Sequence, residues 1–283
     1  TSAITCDSCY KSCHFFAHYY DAPIFALDCP FNKTEENIRY YADEHRELVK
    51  FLEEVTGQKF DMDRLREQED QSYETYRLLR ELLDLRKAVP SPIRARDALR
   101  NMGITIMSRN KTKAFDYFKS LLGEVKNRVE KKQGVVENEK YRLLWLQTAP
   151  LFTDFFKVLE EEYGAVVVLD ELSEVEWKEE RTSDPFYDIA KRGMSNSWWG
   201  EMSENRTQSI LRQAEEYKID GCIHFLPWGC RVSSNAAGVI KDSLMKEMGI
   251  PTLTLDSCYM DPNLFVESQV KAKMEGFIEM MEK

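Results

Sequence analysis

Short apolar runs alternate with amphipathic segments through the second half of this chain. The apolar runs have the length of buried strands: YRLLWLQTAP at 141–150, AVVVLDEL at 165–172, DGCIHFLPWGC at 220–230 and PTLTLD at 251–256. Apolar residues then recur at helical spacing within 151–163, 204–217, 235–248 and 264–282. Because strand and helix alternate in this way, the pattern predicts an α/β fold with a parallel sheet and helices on both faces.

The first half of the chain reads mainly as amphipathic helix. One apolar run, APIFALDCP at 22–30, is predicted to be a buried strand. Thr34 is placed to cap a helix that ends at Gly57, and Asp61 to cap the next one. The helical pattern continues through 91–133. A largely helical segment is therefore expected ahead of the second-half sheet.

A polar, glycine-containing stretch, KKQGVVENEK at 131–140, is the predicted hinge of the molecule. We expect an N-terminal α/β domain with the helical segment at 1–135, and a C-terminal doubly wound α/β domain at 136–283. Ala3 and Ile4 read as the end of a strand. Since a chain rarely begins on the last residues of a buried strand, the N-terminal domain is expected to be incomplete here.

Composition and charge narrow the class of protein. Hydrophobic residues make up 43% of the 283 residues, which is enough for real cores. The formal net charge of −10 argues against a general nucleic-acid or anionic-membrane binder. No membrane span or signal peptide is predicted, so we expect a cytoplasmic protein. The seven cysteines, an odd number without secretory features, favour reduced thiols over a disulfide framework.

Polar residues collect where the predicted second-half strands end. They are Gln147, Thr148, Asp170, Glu171, the segment from His224 to Cys230, and Asp256. Ligands of parallel sheets bind outside these strand ends, so Glu171 and His224 are the candidate catalytic residues. Two alternatives stay open. The Asp170–Glu171 pair would equally serve to hold the following loop, and His224 on an apolar strand would equally be a core histidine.

The cysteines offer a second kind of chemistry. Cys6, Cys9 and Cys13 are spaced C-x2-C-x3-C, which fits zinc or iron–sulfur ligation, or the packing of free thiols on one helical face. Cys222 lies inside an apolar strand and is predicted to pack. Cys230 follows the strand in a glycine-containing loop, where a thiol can meet a ligand. It is therefore the stronger metal candidate in the second half.

The order of these segments is similar to that of a known family. TCDSC, PIFALDCP, YRLLWLQTAP, YGAVVVLDEL, DGCIHFLPWGCRVSSN and FVESQVKAKMEGFIEMME resemble a subunit of the 2-hydroxyacyl-CoA dehydratases, whose wider family includes benzoyl-CoA reductases and double-cubane-cluster proteins. The resemblance implies two Rossmann-like domains and three cysteines that hold a [4Fe–4S] cluster. Cys6 would be the second of these ligands and Cys230 the third. The first lies in a part absent from this sequence, and Cys9 is the next candidate.

The resemblance also implies a reaction and partners. Family members convert (R)-2-hydroxyacyl-CoA to enoyl-CoA by a radical mechanism, after an ATP-hydrolysing iron–sulfur activator supplies one electron. A related subunit completes a heterodimer. The alternatives are a benzoyl-CoA reductase-type or double-cubane-cluster reductase, and a cluster-free structural partner subunit. A flavin is compatible with the resemblance, but no feature of the sequence supports one.

Overall fold

The computed structural model describes residues 1, 6–108, 110–150, 152–173, 181–195, 203–258 and 261–282. The helices are α1 Asp7–Tyr19, α2 Glu35–Thr56, α3 Met62–Leu85, α4 Ala95–Ser108, α5 Thr112–Glu130, α6 Phe155–Tyr163, α7 Pro185–Gly193, α8 Ser203–Glu216, α9 Arg231–Ser234, α10 Ala237–Met248 and α11 Glu267–Met281. The strands are β1 Tyr141–Leu146, β2 Ala165–Asp170, β3 Gly221–Pro227 and β4 Thr252–Ser257. None of the described helices has the length and apolar character that a membrane crossing requires.

The four strands form one parallel sheet in the order β2-β1-β3-β4. Leu146 at the end of β1 pairs with His224 in β3, and Pro227 at the end of β3 pairs with Ser257 in β4. Strand residues are buried on both faces, as the near-continuous apolar runs predicted. The α/β class and the parallel sheet are confirmed.

Helices cover both faces of the sheet, and alternate strand residues point to each. Trp145 packs with Phe156 of α6 and Phe277 of α11 in one core cluster. Leu146 packs in a second core cluster with Ile210 of α8. Ile240 of α10 belongs to the same cluster. The connection that follows β1 therefore runs on one face, whereas the helix that follows β3 runs on the other. This doubly wound arrangement is what the alternating pattern predicted.

The chain divides into two compact units, each built from two stretches of sequence. Unit 1 consists of Thr1–Asp70 and Val175–Arg206, and unit 2 of Gln71–Glu174 and Thr207–Lys283. Unit 1 contains the packing of α2 against α7, where Ile38, Ala42, Ala190 and Met194 are buried together. Unit 2 contains the sheet. The predicted division at 135/136 stays a prediction.

Two buried arginines fasten the segment after α3 to the sheet of unit 2. Arg86 makes an ion pair of 2.9 Å with Asp170 at the end of β2, and both side chains are buried. Arg142 in β1 donates to the Ala88 carbonyl at 3.1 Å and to Glu139 at 2.6 Å. A buried arginine is tolerated only with such partners. These bonds fix the helical segment to the strands.

Two details of the sequence-based prediction are wrong. Residues 22–30 form an extended segment in which Leu27 makes a single bridge, its N–H donating to the Thr1 carbonyl at 2.7 Å. The segment is only partly buried, and so it lacks the two covered faces of an inner strand. The sequence between the strand at 165–172 and the helix at 204–217 reads as a long loop with Trp177 and Pro185. The structure has α7 in this stretch, and its cap Asp184 accepts from the Phe186 N–H at 3.1 Å. Ala3, Ile4 and Trp177 lie outside the described residues.

Candidate functional site

The carboxyl ends of β1 and β3 flank the point where the sheet changes its winding. The helix after β1 covers one face and the helices after β3 cover the other. Chains that leave two neighbouring strands in opposite directions open a crevice between them, which is where ligands of such sheets bind. Gln147 and Thr148 follow β1 here, and Trp228, Gly229 and Cys230 follow β3.

The turn after β1 has a strained backbone, and it contains a buried side-chain donor without a hydrogen-bond partner among the described residues. Gln147 has a φ of +76°, whereas the other described non-glycine residues with positive φ, Asp21, Lys132 and Lys218, each follow the end of a helix, where this conformation is common. The indole of Trp145 donates to the Thr148 carbonyl at 3.0 Å and so holds the turn. Gln147 is 1% exposed, and within the described chain its Nε2 has no hydrogen-bond partner.

Thr148 repeats the feature, since its buried Oγ1 has no partner among the described residues either. A buried donor without an acceptor costs about 1–3 kcal/mol, and backbone strain of this type costs about 1–3 kcal/mol per residue. Two adjacent residues at the end of β1 therefore carry a stability cost, and no hydrogen bond from the described residues offsets it.

The turn after β3 is rigid and places a thiol at the same crevice edge. Gly229 has a φ of +76°, and the Cys230 N–H donates to the Pro227 carbonyl at 3.0 Å, which closes a β-turn. The Cys230 carbonyl accepts from the Ser234 hydroxyl at 2.7 Å. Both backbone groups of Cys230 are thus bonded, whereas its side chain stays partly exposed. The loop therefore carries a partly exposed thiol on a hydrogen-bonded backbone.

The two acidic residues at the end of β2, Asp170 and Glu171, have different surroundings. Asp170 is held by Arg86 and also accepts from the Ser173 N–H at 2.8 Å, so it fastens the loop, which was the structural alternative for this residue. Glu171 is 3% exposed, and its N–H donates to the Trp145 carbonyl at 3.0 Å. The backbone of this buried residue is therefore bonded to β1 near its end.

The predicted histidine lies inside the sheet. His224 is fully buried in β3, paired in register with Leu146 on one side and Thr254 on the other. Cys222 is buried in the same strand within the core, as predicted. Asp256 is exposed near the end of β4. Sequence reasoning did not single out Arg86, because an isolated arginine after a helix carries no signal of the carboxylate it will meet.

The N-terminal thiols lie on a helix that buries none of its residues. Cys6 caps α1, and its sulfur accepts from the Cys9 N–H at 3.4 Å. A hydrogen bond between the two side chains and the charge of Cys6 raise the pKa of the Cys9 thiol above its ordinary value. Cys9 and Cys13 are exposed, so the alternative that they pack in a core is wrong. The sulfur atoms at this end are accessible to a ligand.

Comparison with known proteins identifies the family. A model of the family described as 2-hydroxyglutaryl-CoA dehydratase, D-component, matches residues 1–281. The chain belongs to this family. The resemblance seen in the sequence is therefore confirmed.

The chain is similar to several curated proteins, including the following three. The (R)-phenyllactyl-CoA dehydratase alpha subunit of Clostridium sporogenes is 25% identical over 98% of this chain and 68% of its own length. One subunit of the benzoyl-CoA reductase of Thauera aromatica is 26% identical over 94% of this chain and 66% of its length. The (R)-2-hydroxyglutaryl-CoA dehydratase subunit alpha of Acidaminococcus fermentans is 23% identical over 94% of this chain and 56% of its length. The chain thus spans between about half and two thirds of the relatives' lengths.

The cluster implied by the resemblance can be tested against the donors present. An iron–sulfur cluster needs several thiolates converging on one centre. Within the part of the chain that the structure describes, no group of three or more His, Cys, Asp or Glu side chains could hold a metal ion. Cys6 belongs to unit 1 and Cys230 to unit 2. The described residues therefore do not make up a complete three-thiolate site.

Proposed function

We propose that this protein is a component of a 2-hydroxyacyl-CoA dehydratase, a lyase that converts (R)-2-hydroxyacyl-CoA to enoyl-CoA. The observation that carries the proposal is the match of the D-component family model to residues 1–281. It is supported by relatives named as alpha subunits of phenyllactyl-, lactoyl- and 2-hydroxyglutaryl-CoA dehydratases. The carboxyl edge of the sheet is the part of this chain that we assign to the acyl-CoA.

The chain's own candidates for proton transfer are Glu171 and His224. Loss of water from a 2-hydroxyacyl group requires removal of a hydrogen from the β-carbon and protonation of the departing hydroxyl. Carboxyl and imidazole groups are the usual carriers of such protons. Glu171 is a buried acidic residue whose backbone is bonded to β1 near its end, which supports it as the proton acceptor. His224 has the right chemistry but lies deeper, within β3.

The finer features of the family complete the proposal. A [4Fe–4S] cluster, when bound, would supply one-electron chemistry, with Cys6 and Cys230 as ligands and Cys9 as the next candidate. An ATP-hydrolysing iron–sulfur activator would deliver the electron, and a related subunit would complete a heterodimer of chains with two Rossmann-like domains in the cytoplasm. The hydrogen-bonded loop that carries the partly exposed Cys230 at the end of β3 supports this ligand assignment.

The function is tested by anaerobic assay of the purified protein with a related dehydratase subunit, the activator, ATP and a reductant. The expected result is that (R)-phenyllactyl-CoA or lactoyl-CoA is converted to the enoyl-CoA. Chromatography measures this conversion. Consumption of benzoyl-CoA with no dehydration would instead favour the reductase alternative, to which the relative from Thauera aromatica points. If the protein binds no iron and still forms an active enzyme with the related subunit, the result would support the alternative of a cluster-free structural subunit.

A further inference from the structure

The turn after β1 combines three features that point to a ligand. Gln147 is 1% exposed and has a φ of +76° outside any helix end. Its Nε2 has no partner among the described residues, and neither has the buried Oγ1 of Thr148. Buried polar groups are nearly always hydrogen-bonded, so two consecutive exceptions require an explanation.

The turn is held in this conformation by its surroundings. The fully buried Trp145 donates through its indole to the Thr148 carbonyl at 3.0 Å. The Trp145 carbonyl in turn accepts from the Glu171 N–H at 3.0 Å. Bonds from neighbouring elements thus fix the backbone on which both side chains stand. Strain kept in place in this way is typical of positions that bind ligands.

The position of the turn in the sheet also points to a ligand. It lies at the carboxyl end of β1 beside β3, where the sheet changes the direction of its winding. Sheets of this class bind ligands at this point. Gln147 and Thr148 come directly after the strand, so their backbone lies at this point of the sheet.

We propose that the Gln147 amide and the Thr148 hydroxyl donate hydrogen bonds to a carbonyl oxygen of a bound acyl-CoA, an inference that rests on the proposed function. Both groups are donors without charge. A buried phosphate would need a positive partner, whereas a neutral carbonyl oxygen needs only such donors. The thioester and the pantetheine amides both offer this chemistry. The two donors act as positioning groups for the acyl-CoA and need not transfer protons themselves.

The test compares the affinities of the wild-type protein and two variants by calorimetry. Gln147→Met keeps an unbranched side chain of similar length, and Thr148→Val keeps the shape of threonine, but both remove the donor. The probes are (R)-phenyllactyl-CoA, lactoyl-CoA, benzoyl-CoA and free CoA. If the thioester carbonyl is the acceptor, each variant binds the preferred acyl-CoA about 10-fold more weakly, the loss expected for a hydrogen bond. Its affinity for free CoA stays unchanged. Equal weakening for free CoA assigns the donors to a pantetheine amide instead.

A thermal melt of the free protein separates this role from a structural one. Because the donors have no protein partner among the described residues, neither variant should melt at a lower temperature than the wild type. A lower melting temperature with unchanged affinity for every probe would show that the groups serve the fold, and would overturn the inference. So would wild-type affinity in both variants. If Gln147→Met fails to fold, Thr148→Val decides. If the wild type binds none of the probes, the proposed function fails together with the inference.

Discussion

At the level of single residues, the turn after β3 depends on one glycine. Gly229 has a φ of +76° at the third position of the turn that Pro227 and Cys230 close. A Cβ at this position would meet no atom within 4 Å, so space is not what requires glycine. The requirement comes from the backbone, because side-chain-bearing residues adopt this conformation only with strain.

Gly229→Ala should therefore destabilise the protein through backbone strain alone. We expect the free energy of unfolding to fall by roughly 1 kcal/mol or more, since alanine is placed where φ is positive. Denaturant unfolding monitored by circular dichroism measures the change. The matched control is Gly276→Ala in α11, which also has open space around it but no positive φ. Alanine is the better helix former there, by up to about 1 kcal/mol. If both variants shift stability in the same direction, the turn conformation is wrong.

At the level of elements, the ion pair between Arg86 and Asp170 joins the segment after α3 to β2. The guanidinium and the carboxylate lie 2.9 Å apart, and their side chains are 3% and 0% exposed. Arg86→Met should lower the free energy of unfolding by about 3–5 kcal/mol, because it leaves a buried carboxylate without its cation. Lys157→Met is the control within the same unit. It removes an exposed pair with Glu161 at 3.9 Å and should cost less than about 1 kcal/mol. Similar costs for the two variants would contradict the buried pairing.

The packing of α2 in unit 1 should make stability depend on pH through His45. Partial burial lowers the pKa of this imidazole, although the Tyr41 carbonyl, 2.6 Å from Nδ1, opposes the shift. The unfolded chain then binds a proton more readily than the folded one as the pH falls below about 6.5, so stability is lost through that range. His45→Gln should flatten this part of the profile of melting temperature against pH. A wild-type slope in His45→Gln would contradict the burial.

Elements whose signals are local could be predicted from the sequence. Thr34 accepts from the Asn37 N–H and Gly57 ends α2, as the cap residues indicated. The apolar runs predicted β1 to β4 because buried parallel strands need no partner information to be recognised. The run at 22–30 looks the same in sequence, yet there Leu27 makes only a single bridge and the segment is only partly buried, because no strand packs along its length among the described residues. The α7 helix was missed although Asp184 and Pro185 are an ordinary helix start.

At the level of the whole molecule, the sequence could predict which residues lie at the carboxyl edge of the sheet. It could predict only a part of the contacts that their side chains make. Gln147 and Thr148 were identified by their place after β1. Their unused donors depend on the surrounding packing, which no single sequence reveals. The pairing of Asp170 with Arg86 is likewise a contact between residues 84 positions apart in the chain. Which thiols share a metal is also a property of the whole fold.

The iron–sulfur proposal makes a prediction about non-additivity across the two units. If Cys6 and Cys230 are ligands of one cluster, Cys6→Ser and Cys230→Ser each remove most of the iron bound after anaerobic reconstitution. The double variant then loses no more than either single one, because the same cluster is lost. Iron analysis and visible absorption measure the effect. Cys13→Ser on the exposed face of α1 is the control and should retain the wild-type iron content.

Cys9→Ser tests the next candidate in the same experiment. Its neighbour Cys6 already accepts from the Cys9 backbone, and this contact persists when the Cys9 sulfur is removed. A loss of iron in Cys9→Ser thus reports a third ligand, whereas wild-type iron leaves the two-cysteine assignment as it stands. Iron retained by Cys230→Ser, or losses that add in the double variant, would mean that the two thiols serve separate sites. If Cys230→Ser retains its iron, the loop after β3 has a role other than metal binding.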